Sequence, residues 1–181
     1  MTPYQEHVAK WHFCQRCQLC KTRRQVVLMR GKVPAPILFI GEAPGASENV
    51  IGRPFVGPAG KLLDKIIAEA MPNWEFAMTN LVGCIPVENG SKLVEPPRKS
   101  IEACQERLEE AVELVKPWLL VVYVGKLAAK HRVKANKYTH EAEIIHPAAI
   151  LRTSVVQRGL LYQRTVVELQ DAINDALPNP E

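Results

Sequence analysis

The sequence has no apolar run long enough to cross a bilayer, which excludes a membrane-spanning helix. Its first residues, Met-Thr-Pro-Tyr-Gln-Glu-His, contain no signal-peptide core, so a cytoplasmic protein without membrane contact is expected. Charge of one sign is also scarce. The 23 Lys and Arg against 19 Asp and Glu leave +4, which permits a polyanionic partner without requiring one. Hydrophobic residues, by contrast, make up 47% of the 181 positions, too many for a disordered chain and enough for one domain with a substantial core. The expected organisation is a single domain over 1–181, with a cysteine-bearing knuckle in 1–35 packed on it and a frayed tail at 178–181.

Five cysteines are present: Cys14, Cys17, Cys20, Cys84 and Cys104. In a cytosolic chain, disulfides are not expected. The first three have Cys-x2-Cys-x2-Cys spacing, and a close pair with two distant thiols suits a four-thiolate metal site, either zinc or an iron–sulfur cluster. Spacing does not separate those two, and a set of unrelated buried thiols is the remaining reading.

Periodicity organises the rest. A short helix is expected over 4–13, with Val8, Trp11 and Phe13 on its apolar side, then a basic cluster Lys21-Thr22-Arg23-Arg24 and a short edge strand over Val26–Met29. Apolar runs at 37–40, 76–82, 118–124 and 141–145 read as buried strands. Helices are expected near 59–71, 98–115, 126–130 and 155–177, the second of these carries Cys104 on its inward face, and residues 85–97 read as an irregular loop. Strand–helix alternation repeated four times implies a three-layer α/β/α fold around a central four-stranded parallel sheet with right-handed crossovers.

The stretch from Ile37 to Asp64 stands out. A buried strand runs into a turn holding Gly41, Glu42, Ala43, Pro44 and Gly45, then into Gly-Arg-Pro-Phe-Val-Gly at 52–57. Ligands of open α/β sheets collect at the carboxyl ends of strands. Glu42, Asn80 and His146 all lie at such ends, so three strands deliver polar groups to one sheet edge. From residue types alone, this stretch is equally a plain glycine–proline connection, Asn80 a locally satisfied amide, and His146 a cap.

Taken together, Gly-Glu-Ala-Pro-Gly at 41–45, Gly-Arg-Pro-Phe-Val-Gly at 52–57, Ala-Gly-Lys-Leu-Leu-Asp at 59–64, Thr-Asn-Leu-Val-x-Cys at 79–84 and His-Pro-x-x-Ile-Leu-Arg at 146–152 resemble the uracil-DNA glycosylases of the iron–sulfur family 4 type. The resemblance keeps order and approximate spacing over nearly the whole chain. It implies a [4Fe-4S] cluster on Cys14, Cys17, Cys84 and Cys104, with Cys20 an extra thiol. It implies stacking of an extruded uracil on Phe55, edge reading by Asn80, contact with Gly41 and Ala43, and exclusion of thymine by Glu48. His146 would stabilise charge growing on the uracil O2, and Glu42 would position the attacking water. Related glycosylases without a cluster place an aspartate at the position held here by Ala43. Ile150 matches the apolar wedge that fills the gap in the DNA, and Arg152, Lys21, Arg23 and Arg24 are candidate phosphate contacts.

The implied activity is hydrolysis of the N-glycosidic bond of uracil in DNA by a monomer, with a replication or repair protein as a further partner. The rivals are a non-catalytic DNA- or polymerase-binding member of the same superfamily, and a glycosylase for another modified base. The chain departs from the family pattern at Ile85-Pro86-Val87-Glu88, at Asn49, in the long segment before Cys104, and in a short basic stretch before the fourth strand.

Overall fold

The computed structural model describes residues 1–178, so the frayed end expected at 178–181 lies almost wholly outside it. In chain order the elements are α1 (Pro3–Trp11), a 3-10 turn (Gln18–Lys21), β1 (Arg30–Gly31), β2 (Ile37–Gly41), α2 (Ala46–Ile51), α3 (Pro58–Ala70), β3 (Phe76–Asn80), β4 (Val87–Glu88), β5 (Lys92–Leu93), α4 (Arg98–Val115), β6 (Leu120–Val124), α5 (Lys126–Lys130), β7 (His140–Ile144), α6 (Pro147–Leu151) and α7 (Val155–Ala176). The main sheet has the order β1-β3-β2-β6-β7. Its four long strands are parallel, as expected, and a fifth, two-residue strand adds an antiparallel edge where Arg30 faces Met78 and Gly31 faces Ala77. The edge pairing therefore falls just after the segment assigned to it, because Val26–Met29 is buried and unpaired as a strand.

Burial explains the layers. β2 and β6 are buried at all five positions, as central strands covered on both faces must be. Their alternating side chains feed two cores. Leu38, Ile40, Val121 and Tyr123 pack with Trp11, Leu108 and Val112 from α1 and α4, whereas Ile37, Phe39, Leu120 and Val122 pack with Leu63, Ile66, Val166 and Leu169 from α3 and α7. No described helix is long and apolar enough to cross a membrane.

Besides five-residue α6, two small elements have no counterpart in the periodicity. The first is α2, six residues long, whose capping box joins Gly45 to Glu48 and whose end is closed by Gly52 in the left-handed region. The second is the β4–β5 hairpin, turned by Asn89 (φ 50°) and Gly90 (φ 82°), where only a positive-φ pair fits the strand twist.

Candidate active site

The carboxyl ends of β2 and β3 lie side by side, with Gly41 opposite Asn80 in parallel register. Gly41 is the floor on which two side chains converge. A Cβ placed there would sit 2.3 Å from Phe55 Cζ and 2.5 Å from Asn80 Oδ1, so only bare backbone lets the ring and the amide meet. Phe55 is held over this floor by an uncommon backbone, φ 56°, fixed from both sides. Arg30 donates to the Phe55 carbonyl (3.3 Å) and pairs with Asp64 (2.5 Å), and Gly60 admits the Phe55 backbone where a Cβ would stand 2.0 Å from its oxygen.

Asn80 is 3% exposed, yet among the described residues nothing hydrogen-bonds its side-chain amide. Buried amides normally find partners, so donors and an acceptor left unspent beside a cavity are a ligand-reading arrangement. The cavity measures about 550 Å³, and Glu42, Ala43, Glu48, Phe55, Asn80, His146, Leu151 and Arg152 all line it. The three strand-tip groups thus share one cleft with the aromatic ring.

His146 caps α6: its Nδ1 accepts from the Ala148 amide at 3.1 Å. That bond leaves the proton of a neutral ring on Nε2, making Nε2–H a donor. Burial lowers the His146 pKa first, and the nearby Arg152 charge lowers it further, so the ring is held neutral. Gly125 lies under it, where a Cβ would be 3.0 Å from His146 Cβ. Glu42 is half-buried, and its carboxyl is pushed up by burial and then by Glu95, with Arg152 pulling the other way.

Glu48 is buried, and its carboxylate accepts from three backbone amides: Gly45 (3.0 Å), Val56 (2.8 Å) and Gly57 (2.7 Å). It is a fixed brace that ties α2 to the Phe55 loop while facing the cavity. The signal for this was present as a Gly-x-x-Glu capping pattern at 45–48.

The structure does not place Ile150 as an apolar wedge facing DNA. Ile150 is fully buried in the core against α3 and α7, so it cannot enter a DNA stack without leaving that core. Its half-buried neighbour Leu151 lines the cleft instead, followed by the exposed Arg152. The hairpin also reaches the cleft, through Pro86, Leu93 and Val94, which a reading of 85–97 as irregular loop did not anticipate; the Asn89-Gly90 pair was the available signal. A larger cavity of about 860 Å³ lies between α1 and the end of α4, bordered by His7, Glu110 and Trp118, and holds none of the strand-tip groups.

The thiols are arranged unequally. Cys84 and Cys104 are buried in the core beneath α1 and α4, Cys14 and Cys17 pack against that same core, and Cys20 does not. Burial pushes the Cys84 thiol up to about 12; Arg23 opposes this, and Cys104, Cys17 and Cys14 are near enough to add to it. Among the described residues no three His, Cys, Asp or Glu side chains stand close enough to grip a single metal ion. Arg23 carries a buried Nη1 with no hydrogen-bond partner beside this group of thiols.

The model of the uracil DNA glycosylase superfamily matches residues 28–170. The chain belongs to that superfamily. Among curated proteins, this glycosylase-superfamily member is similar to type-4 uracil-DNA glycosylases. That of Saccharolobus solfataricus is 40% identical over 110 residues, covering 60% of this chain and 49% of the relative. That of Archaeoglobus fulgidus is 33% identical over 160 residues, covering 76% and 78%, and that of Sulfurisphaera tokodaii is 34% identical over 161 residues, covering 76% and 71%. The aligned region thus spans about half the length of the first relative and about three quarters of the other two. Among solved structures, Pedobacter heparinus SMUG2 shares the fold with a TM-score of 0.54 at 13% identity, over 78% of this chain and 76% of that one.

Proposed function

We propose that this superfamily member is a monofunctional uracil-DNA glycosylase, cleaving uracil from the deoxyribose of DNA to start base-excision repair. The observation that carries the reading is the unspent Asn80 amide beside Phe55 above the bare Gly41 backbone. An extruded uracil stacks on Phe55 and presents its pairing edge to Asn80. The amide oxygen accepts from N3–H and the amide nitrogen donates to O4, a pattern that cytosine reverses. Glu48, anchored by three amides, forms the wall against the thymine methyl group.

Cleavage breaks the C1′–N1 bond and leaves the electron pair on uracil. The neutral His146 donates its Nε2–H to O2 as negative charge accumulates there, which stabilises the leaving group in a water-poor site. Glu42 faces the sugar, stabilises its positive character, and takes the proton of the water that bonds to C1′. Leu151 fills the gap left by the base, and Arg152 meets the phosphate backbone. All these groups come from one chain, so a monomer suffices.

Cys14, Cys17, Cys84 and Cys104 are the residues that would hold a [4Fe-4S] cluster, with Cys20 outside the set. The donor set fits, and so does Arg23: a thiolate-bound cluster is an anion that gives the orphaned guanidinium nitrogen a partner. Its contribution is structural, joining the N-terminal knuckle to β3 and α4.

Incubation with an oligonucleotide carrying one deoxyuridine, followed by alkali, tests the reading. Alkali-labile sites are expected from the wild type and are strongly reduced in His146→Ala and Glu42→Ala. Salt-sensitive DNA binding without cleavage would favour a non-catalytic member.

A further inference from the structure

Arg107 is the one charged side chain of α4 that points fully inward, at 1% exposure. Its partners are all neutral. Nη1 donates to the Thr79 hydroxyl at 3.2 Å, and Nη2 donates to the Leu81 carbonyl at 3.0 Å and to the Asn80 carbonyl; Nε is buried without a partner. A guanidinium enclosed without a carboxylate is costly, and an apolar residue of similar volume usually serves stability as well or better. Its position therefore asks what the carbonyls need.

They belong to the tip of β3 on its open side. β1 pairs with β3 only at Met78 and Ala77; beyond it the Val26–Met29 segment follows the same edge, with Val27 donating to the Gly83 carbonyl (2.7 Å), but gives no donor to the carbonyls of Asn80 and Leu81. On the other edge, Leu81 donates to the Gly41 carbonyl (2.9 Å) and Val82 to the Glu42 carbonyl (3.3 Å), so the amides there are spent on β2 and its continuation. Arg107 supplies the donors that a neighbouring strand would have given. Thr79, which also donates to Leu28 (2.8 Å), completes the clamp. The side-chain amide of Asn80 has no protein partner, so its aim depends on how rigidly its own backbone is held.

We propose that Arg107 is the positioning residue for base recognition: by gripping the peptide units of Asn80 and Leu81 it fixes the Asn80 amide in the orientation that reads the pairing edge of a pyrimidine. This rests on the proposed uracil excision. Arg107 touches neither substrate nor reacting atoms and acts only through Asn80. Its place one turn beyond Cys104, with its Cδ 3.6 Å from the Cβ position of Gly83, sets the clamp between the thiol group and the base reader.

The test is a double-mutant cycle of Arg107→Met and Arg107→Lys with Asn80→Ala, read as single-turnover excision under excess enzyme, where slow residual rates are measurable. Loss of charge-assisted hydrogen bonds predicts a fall of about tenfold or more for R107M, with partial recovery in R107K. Visible absorbance per chain and oligonucleotide affinity should stay within about twofold, and in the N80A background R107M should cost less than about twofold. Equal losses in both backgrounds, or a loss that follows cofactor content or affinity, would overturn the proposal. So would failure of both Arg107 variants to fold, which would make the residue purely structural. A wild-type protein that releases no uracil removes the underlying reading before any variant is compared.

Discussion

Replacing Gly41 with alanine probes the site at its narrowest point. The new methyl carbon would lie 2.3 Å from Phe55 Cζ and 2.5 Å from Asn80 Oδ1, where carbon–carbon contact needs about 3.5 Å or more. Something must move by more than an ångström. The backbone is held, because Gly41 is paired with Asn80 on β3 and the preceding Ile40 is paired on both sides, with Thr79 and Tyr123. The displacement falls on the Phe55 ring and the Asn80 amide together. Overpacking of this kind costs about 1–3 kcal/mol, which lowers the melting temperature of a chain this size by roughly 3–10 °C. Misplacement of substrate by about 1 Å costs on the order of 100-fold in rate. G41A should therefore fold, melt slightly lower, and lose about two orders of magnitude in kcat/KM on a deoxyuridine oligonucleotide. Removing the ring supplies a control: in a Phe55→Ala background, the added methyl has room on that side and its further effect should shrink. Retention of excision within about threefold in G41A would refute the claim that ring and amide act together over this residue.

Other substitutions separate the remaining groups. Ile150→Ala should destabilise the fold by about 2–5 kcal/mol, read by thermal melting, because it empties a fully buried site. Leu151→Ala should leave the melting temperature nearly unchanged and slow excision from duplex more than from single strands, where no stack needs filling. The proposed mechanism uses an ionised Glu42 and a neutral His146, so activity should fall as pH falls. Arg152 lowers the pKa of both groups, and Arg152→Gln should shift the acidic limb of the pH–rate profile to higher pH. Protein purified without oxygen should be brown and lose that colour in Cys17→Ser while keeping it in Cys20→Ser; colourless protein with stoichiometric zinc would overturn the cluster assignment.

The parallel sheet was legible because its central strands are buried on both faces and so read as short continuous apolar runs. α4 was legible because its inward positions recur at helical spacing. The elements that escaped are those too short for a period to register: six-residue α2, the two strands of the β4–β5 hairpin, and α6 behind His146. The strand-tip groups could be placed at one sheet edge from the pattern of strands alone. Their shared cavity could not, because it depends on Phe55 returning across Gly41 from a loop. Ile150 went astray because a motif fixes an order of residues, while helical geometry decides which of two adjacent aliphatic side chains turns inward. Arg107 was invisible for a related reason: an arginine at an inward helical position looks like an ordinary surface charge until the bare carbonyls at the β3 tip are seen.

A crystal of the wild-type protein soaked with free uracil would show how the base sits among Phe55, Asn80 and His146. The ring should lie flat against Phe55, with N3 and O4 within hydrogen-bond distance of the Asn80 amide and O2 facing Nε2 of His146. Uracil bound elsewhere, or in this cleft with its pairing edge turned away from Asn80, would contradict the proposed recognition.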